Sequence, residues 1–536
     1  MKFFSAMVCC GRFIVPLDMI WPNGYRAIAF FVAAASLSAA NWPTFAGNPQ
    51  RDGWAKGETS LSRVNAKDIK LEWKIQLDNI SKELNSLTAP TVVEKLVTPQ
   101  GFKDVVIVAG SADRVFAIDV DSGKLMWQKN FVVRASEKPS LGFLCPNALN
   151  ATPVIDPAMM RTTVYVLASD GMLHALNAVD GEDRMPPMQF VPPESKAWSL
   201  NLFGDSIYTT VSQGCGGTKS GVYSLNLKDP KHATESFGSG AAGGSGIWGR
   251  GGSAISPGGT VYVETGDGAY NPAANEYADS FVAVSSKDLS MTDYYTPANH
   301  LFLTHKDLDM GAMSPLVFAF KNREIVAGGG KEGVLYLLDG KGLGGTDHKT
   351  PLFRSPKYAN EELNLAGRGF WGALATWQDE TGTRWLYAPA QGPQAAGSPE
   401  FKQADGAAPH GSIMAFKVDE QNGKVVLEPM WRSKDMSIPE PPIVANGVVY
   451  ALSNGENTQS IHASGRLMTS LERSSTPIGN VVLYAFDAVT GKELFSSAKS
   501  IAGFSHFSGL AIANGHVYVA TYENVLYSFG LGDNGQ

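Results

Sequence analysis

A short apolar phrase recurs along the whole chain. Its eight copies are five residues long and combine β-branched, aromatic and small side chains. They are VFAID (115–119), LHALN (173–177), VYSLN (222–226), FVAVS (281–285), LYLLD (335–339), IMAFK (413–417), LYAFD (483–487) and LYSFG (526–530). Repeats spaced by roughly 40–60 residues are typical of a β-propeller or a solenoid.

Further strand-like runs accompany each copy. A second β-branched and aromatic run precedes most copies, as in TVYVL (163–167) and HVYVA (516–520), and a third often begins at proline, as in TPVID from Thr152. Turns rich in Gly, Asp and Asn bound these runs, and no helical period lies between them. Four short strands per repeat make a propeller blade, so the sequence predicts an all-β, eight-bladed β-propeller.

The two ends of the repeat region complement each other. The last copy, LYSFG, has no outer strand after it, whereas IKLEWKIQL (69–77) is a strand without a blade near the amino terminus. We expect this N-terminal strand to complete the last blade and close the ring, which leaves no free sheet edge between the chain ends. Two long intervals predict surface insertions at 391–411 and 454–479.

The amino terminus has the features of a secretory signal peptide. The apolar run Ala27–Leu37 follows Arg26 and precedes the small residues Ser38-Ala39-Ala40, which together form the usual pattern of a cleaved signal. We therefore predict a signal peptide over residues 1–40, with Met19 as a possible true start, and a propeller over 41–536. The alternative is an uncleaved membrane anchor. After cleavage we expect no transmembrane span and a periplasmic or secreted protein.

Composition narrows the classes of function. Hydrophobic residues make up 44% and charged residues 18% of the 536 residues, enough to bury a core, so disorder is not expected. The net charge of −7 argues against nucleic acid as a partner, because nucleic-acid binders carry basic surfaces. Of four cysteines, only Cys145 and Cys215 remain after cleavage. They follow the phrases of successive blades on the same expected face, so we predict a disulfide between them, the alternative being two buried thiols.

The segments FAIDVDSGKLMW and, more weakly, FDAVTGKELF resemble the tryptophan-docking repeat of the quinoprotein alcohol dehydrogenases. This PQQ-like resemblance extends over essentially all of residues 41–536. It implies an exported eight-bladed propeller with pyrroloquinoline quinone (PQQ) and Ca2+. The same repeat occurs in non-catalytic propellers, such as the lipoprotein of the outer-membrane barrel assembly machinery, so the resemblance also allows a scaffold.

Three positions match the quinoprotein pattern. GGSGIWGRGG (243–252) is similar to the segment whose Trp lies under the quinone, which implies that Trp248 stacks on that flat ring. AGGGKEGVLYLLD (327–339) is similar to the segment whose cation contacts the quinone carbonyls, which implies the same role for Lys331. ETGDGAYNP (264–272) resembles the segment with a calcium-binding Asn, and Asp267 stands in its place as a hard oxygen ligand.

Other positions depart from the pattern. Gly216 occupies the place of the family's calcium-binding Glu, and the general base is expected at Ala298, Asn299 or His300, none of which is an acid. Asp307 and Asp309 come later and look like the family's structural Asp-x-Asp. The adjacent cysteine pair is replaced by Cys145 alone. No C-x-x-C-H motif occurs, so we expect no c-type haem and an external electron acceptor.

Each candidate residue also has a structural interpretation. Trp248 could pack between blades, Asp267 could cap its own turn, and Lys331 could be a solvated turn residue. Two hypotheses follow. One is a quinoprotein-like propeller with a central small-molecule site that oxidises an alcohol or sugar, and the other is an envelope scaffold that binds protein partners. Convergence of Trp248, Asp267 and Lys331 within about 10 Å around an open cavity of roughly 300 Å³ or more would favour the first, whereas side chains that point into separate blade cores would exclude it; catalytic residues remain unassigned.

Overall fold

The structure is a computed structural model. It describes residues 14–20, 26–32, 41–83, 85–133, 144–158, 161–242, 244–360, 368–456 and 480–532, with 464, 466, 468, 469 and 472. The chain divides into two compact units, Met1–Ala39 and Ala40–Gln536. In the first, strands Ile14–Ile20 and Arg26–Val32 pair antiparallel. The remaining part of the predicted signal peptide and most of the predicted insertion 454–479 lie outside the described residues.

The second unit is an eight-bladed β-propeller, which confirms the predicted fold class. Six blades are four-stranded antiparallel sheets. In order across each sheet, they are blade 1 (Thr91–Thr98, Gly101–Gly110, Arg114–Asp119, Leu125–Asn130), blade 2 (Val154–Asp156, Thr163–Leu167, Met172–Asn177, Met188–Gln189), blade 4 (Ala254–Ile255, Thr260–Glu264, Phe281–Ser285, Met291–Tyr295), blade 5 (Leu316–Phe320, Arg323–Gly329, Leu335–Asp339, Phe353–Arg354), blade 7 (Ile443–Ala445, Val448–Ser453, Val482–Asp487, Glu493–Ser496) and blade 8 (Leu510–Ala513, His516–Ala520, Val525–Gly530, Lys70–Gln76).

Blades 3 and 6 have additional short strands. Blade 3 contains Lys196–Ala197, Asn201–Phe203, Ser206–Ser212, Lys219–Asn226 and Thr234–Ala242, and blade 6 contains Gly369–Phe370, Ala375–Gln378, Arg384–Gln391, Gly411–Gln421, Lys424–Arg432 and Gln403–Ala404. Outside the blades lie the hairpin Tyr270–Asn271 with Glu276–Tyr277, the parallel pair Met313–Ser314 with Gly372–Ala373, helix α1 (His300–Lys306), and 3-10 turns at Phe45–Gly47, Ala66–Asp68, Cys215–Gly217, Pro272–Ala274 and Gly345–Asp347. Within the described residues, no helix is long and apolar enough to cross a membrane.

All eight recurring phrases lie in the third strand of a blade. In blade 8 that strand pairs with Lys70–Gln76, with Lys70 opposite Gly530 and Gln76 opposite Val525. The N-terminal strand therefore completes the last blade, as the sequence predicts.

Tryptophans of outer strands connect neighbouring blades. Each lies over a glycine in the turn of the next blade and donates its indole N–H to a carbonyl oxygen nearby. The pairs are Trp73 with Gly123 and Val120 O (2.7 Å), Trp127 with Gly181 and Ala178 O (2.9 Å), and Trp431 with Gly491 and Ala488 O (2.9 Å). A Cβ at Gly491 would lie 2.7 Å from the Trp431 ring. The repeat therefore needs both the Trp and the Gly, because the ring occupies the space of a side chain.

Residues 42–55 form an N-terminal plug that contacts all eight blades. Main-chain or side-chain bonds join it to the first seven blades at Val92, Ile155, Leu200, Ile255, Val317, Thr376 and Val444. Phe45 packs against Gly509, which directly precedes the first strand of blade 8. The plug contacts blades 1 to 7 in their order along the chain, whereas Phe45 reaches blade 8 between the contacts to blades 3 and 4, so the plug links the inner strands around the ring.

Arg51 stabilises the N-terminal plug through buried hydrogen bonds. It is completely buried, and its guanidinium donates to Ser253 O (3.2 Å), to the Thr44 hydroxyl (2.7 Å), to Phe45 O (2.8 Å) and to Leu200 O (2.9 Å). Burial lowers the pKa of Arg51 to about 9. A buried cation is tolerated here because neutral oxygens replace its water.

Candidate functional site

Three carboxylates meet between blades 4 and 5. Asp267 lies in the turn after strand Thr260–Glu264, Asp307 directly follows helix α1, and Asp309 lies two residues beyond. One oxygen from each lies within 4.8 Å of one from each of the others. Asp307 takes the left-handed conformation (φ 54°) that ends the helix, and this reversal of the chain brings both Asp307 and Asp309 into the group, which we call the acidic cluster.

Lys331 enters the acidic cluster from blade 5. Its Nζ forms ion pairs with Asp307 Oδ1 and with Asp309 Oδ2, the latter at 2.5 Å. The main chain of Lys331 is fixed, since its N–H donates to Asp309 O (3.1 Å) and its carbonyl accepts from Asn360 Nδ2 (2.6 Å). The Lys331 side chain is only 5% exposed, so this lysine is not a solvated turn residue.

Trp248 lies beside Lys331, and its indole ring packs against glycines. The Lys331 Nζ is 4.8 Å from the centre of the Trp248 ring. A Cβ on Gly266 or Gly311 would approach the indole Nε1 to 3.0 or 2.8 Å. Gly311 leaves no space for a side chain, since its Cβ would also lie 2.7 Å from Gly266 N, and Gly266 packs tightly against the ring, so the backbone restricts the ring orientation.

Aromatic rings and a second cation extend the site from Trp248. Trp371 contacts Trp248 edge-on (centroids 5.5 Å apart) and lies under the Lys331 Nζ (5.3 Å), and Phe507 stacks on Trp371 (6.2 Å, 18°). Arg250 lies over Phe507 at 5.7 Å and over Trp198 at 5.5 Å. We call Trp198, Arg250, Trp248, Trp371 and Phe507 the aromatic wall; cations over ring faces are favourable contacts.

The acidic cluster contains more carboxylates than positive groups. Burial and the neighbouring Asp309 raise the pKa of Asp267 to about 7, and burial also raises the pKa of Asp307. The two carboxylates raise the pKa of Lys331 against the opposing effect of its burial, so the ammonium stays charged. Three carboxylates facing one ammonium attract further cations.

The acidic cluster fits a calcium ion. Because the three oxygens lie within 4.8 Å of one another, one point can lie within about 2.8 Å of all three, near the 2.3–2.6 Å of calcium–oxygen bonds. Asp309 is 1% exposed, and its Oδ1, like Asp267 Oδ1, is buried without a hydrogen-bond partner within the described residues. Buried, unpaired carboxylate oxygens are costly without a cation.

The positions that depart from the family pattern are elsewhere. Asn299 donates to Glu332 Oε1 (2.9 Å), and His300 packs against Tyr270 with ring centres 4.5 Å apart. Gly216 takes φ 65°, and a Cβ there would collide with Pro193 O. A glutamate at Gly216 is therefore sterically excluded, and the carboxylates that the structure brings together are those of Asp267, Asp307 and Asp309.

Asp307 and Asp309, which resemble a structural Asp-x-Asp in the sequence, lie beside Asp267 in the structure, and sequence reasoning did not predict this position. Their signal was the motif HKDLDMG between two blades, 24 residues before Lys331. The same reasoning selected Trp248, Asp267 and Lys331, and the structure brings these three residues together.

Cys145 and Cys215 form a disulfide in the structure, with Cα atoms 5.5 Å apart. Beside it, Lys196 donates from Nζ to Leu144 O (2.8 Å) and lies over the Trp198 ring (5.3 Å). The disulfide therefore joins the connection between blades 1 and 2 to a loop of blade 3, next to the aromatic wall.

Comparisons with known proteins agree with this architecture. A family model described as "Outer membrane protein assembly factor BamB" matches residues 40–233. No curated protein matches the chain in sequence. The quinohemoprotein alcohol dehydrogenase of Comamonas testosteroni is 15% identical with a TM-score of 0.59, covering 94% of this chain and 82% of its own.

Two further solved structures are similar to the same degree. Quinohemoprotein alcohol dehydrogenase ADHIIG of Pseudomonas putida HK5 is 14% identical (TM-score 0.59; 93% and 81% covered). A europium-containing methanol dehydrogenase is 12% identical (TM-score 0.59; 92% and 98% covered). Identities this low establish the fold and no more. The resemblance to the PQQ-like propeller repeat family is confirmed, with the family match at residues 40–233 and the eight-bladed fold extending over the rest of the propeller.

Proposed function

We propose that this protein is a quinoprotein-like oxidoreductase that binds Ca2+ at Asp267, Asp307 and Asp309 and a flat quinone such as PQQ against Trp248 and Lys331. The observation that carries the proposal is the convergence of the acidic cluster, the Lys331 ammonium and Trp248. An alcohol or a sugar would be the substrate.

The three carboxylates differ in how far they are exposed to solvent. Asp309 and Asp267 offer buried oxygens that hold a cation, whereas Asp307 is 45% exposed and is the carboxylate that substrate can reach. When bound, PQQ supplies a two-electron acceptor and Ca2+ supplies Lewis acidity.

The first test is binding. We expect CaCl2 with PQQ, each near 100 μM, to raise Tm and to quench tryptophan fluorescence saturably, since a ligand of the folded state alone stabilises it. Asp309→Asn should abolish the calcium effect, and Trp248→Ala should abolish the quenching by PQQ. Asp339→Asn is the matched control, because Asp339 forms an ion pair with Arg323 (2.9 Å) away from the cluster.

Dye reduction with alcohols and sugars then tests the reaction. If the wild-type chain shows neither a shift in Tm nor quenching, the quinoprotein proposal is wrong.

A second candidate is an envelope scaffold. The match of residues 40–233 to the BamB family model favours it, as does Gly216 at the place of a carboxylate ligand. A scaffold predicts no response to CaCl2 and PQQ but stable co-purification with envelope proteins, so the same experiments separate the two candidates.

We further propose export to the periplasm with removal of residues 1–40. The boundary between the two compact units at Ala39 and Ala40 supports this. Mass spectrometry of the protein from the envelope fraction tests it, and an intact amino terminus would contradict it.

A further inference from the structure

Lys331 occupies the position where a metal ion and a ligand would meet. Its Nζ contacts Asp307 and Asp309 on one side and lies over the rings of Trp248 (4.8 Å) and Trp371 (5.3 Å) on the other. Two of the three acidic side chains of the cluster are thus already paired with a cation that belongs to the chain itself.

We propose that Lys331 competes with the divalent cation for Asp307 and Asp309, so that metal binding releases its ammonium toward the faces of Trp248 and Trp371. This rests on the proposed calcium site. Lys331 thereby acts as an internal occupant of the cluster that a metal ion must displace.

Electrostatic repulsion between the two cations causes the competition. An ion bonded to Asp267, Asp307 and Asp309 shares two of its ligands with the ammonium, and both cations lie in a buried site where water screens them poorly. Two positive groups on the same buried carboxylates repel each other, so the bound ion weakens the ion pairs of Lys331 with Asp307 and Asp309. The ammonium is the group that can move, because its stem is flexible whereas the carboxylates lie on short, fixed turns.

The aromatic rings define where Lys331 goes. The main chain at Lys331 is anchored by Asp309 O and Asn360 Nδ2, so only the side chain moves. Trp248 and Trp371 already lie within cation–π distance of its Nζ. There the released ammonium faces any anionic ligand stacked on Trp248, and metal binding and ligand binding should strengthen each other by the same factor.

The decisive test predicts that removing the Lys331 charge increases the affinity for Ca2+. Lys331→Met removes the competitor, so Ca2+ should bind about tenfold or more tightly than to the wild-type protein, within the range of ordinary couplings, as measured by calorimetry without PQQ. A Lys331 that merely supports the site predicts weaker binding. Lys103→Met is the control, since it removes the same charge from an ion pair with Asp119 (2.8 Å) elsewhere.

A second measurement uses the wild-type chain and does not depend on the variant folding. Acetylation of lysines, followed by peptide mass spectrometry, should show Lys331 becoming more reactive when Ca2+ is added, while Lys103 stays unchanged. Unchanged or reduced labelling of Lys331 would overturn the competition.

The outcomes separate the two proposals. If Ca2+ binds the wild-type protein and Lys331→Met equally, competition is wrong although the metal site stands. If Ca2+ binds neither protein, the metal site itself is wrong, and this inference fails with it.

Discussion

Lys196 illustrates at the residue scale how the propeller keeps charge beside its aromatic wall. The side chain is 8% exposed, and no carboxylate in the described part of the chain forms an ion pair with it. Burial, together with the nearby charge of Arg250, lowers the pKa of Lys196 to about 7. An ammonium in this place costs free energy that an apolar side chain would not.

This cost predicts a dependence of stability on pH. Because its pKa is lower in the folded than in the unfolded state, the folded protein binds fewer protons between about pH 7 and 10, and the free energy of unfolding rises with pH there. Lys196→Met lacks this rise. Urea unfolding should show its advantage over the wild-type protein shrinking by up to about 1.4 kcal/mol per pH unit above pH 7. Lys228→Met, at an exposed ion pair with Asp205, should show no such trend; a pH-independent difference for Lys196→Met would contradict the assignment.

At the scale of elements, the contact between Trp and Gly holds blade to blade. Gly491 takes φ 71° and lies under the Trp431 ring, so Gly491→Ala combines a strained backbone with a steric clash. We expect a loss of about 2–4 kcal/mol in the free energy of unfolding. Gly423→Ala is the control, since Gly423 has φ 76° but open space around it and should cost only about 1 kcal/mol. Equal losses would show that the docked ring contributes nothing.

The same elements show what the sequence could predict. The eight phrases, the closing strand and the docking Trp could be predicted from local alternation of apolar and polar residues and from turn glycines. These local patterns do not depend on how the blades pack against one another. Asp307 and Asp309 do not follow from such patterns, because their position depends on the reversal of the chain after helix α1. The wall residues Trp371 and Phe507 were likewise missed, since their meeting requires blades 4 to 8 to be arranged around one axis.

At the scale of the whole molecule, the N-terminal plug makes the ring one unit. Neighbouring blades contact each other, but only the plug contacts all eight among the described residues. Residues 42–55 lie against inner strands of the blades, and Val525–Gly530 pairs with Lys70–Gln76, which closes the last blade. Local opening of one blade should therefore be opposed by the others through the plug.

Arg51 is the residue on which this coupling can be tested. Arg51→Met removes four hydrogen bonds from a charged donor, and Phe45 O loses the donor that it has among the described residues, so we expect a loss of at least about 3 kcal/mol in the free energy of unfolding. Hydrogen exchange should show the loss of protection spreading to the inner strands Ala254–Ile255 and Leu316–Phe320, which the plug binds through Pro49 O and Gln50 O. Arg63→Met, which breaks an exposed ion pair with Asp487, should leave those strands protected. Loss confined to the plug itself would mean that each blade is stable on its own, because coupling through a shared element requires that its release be felt by every strand it joins.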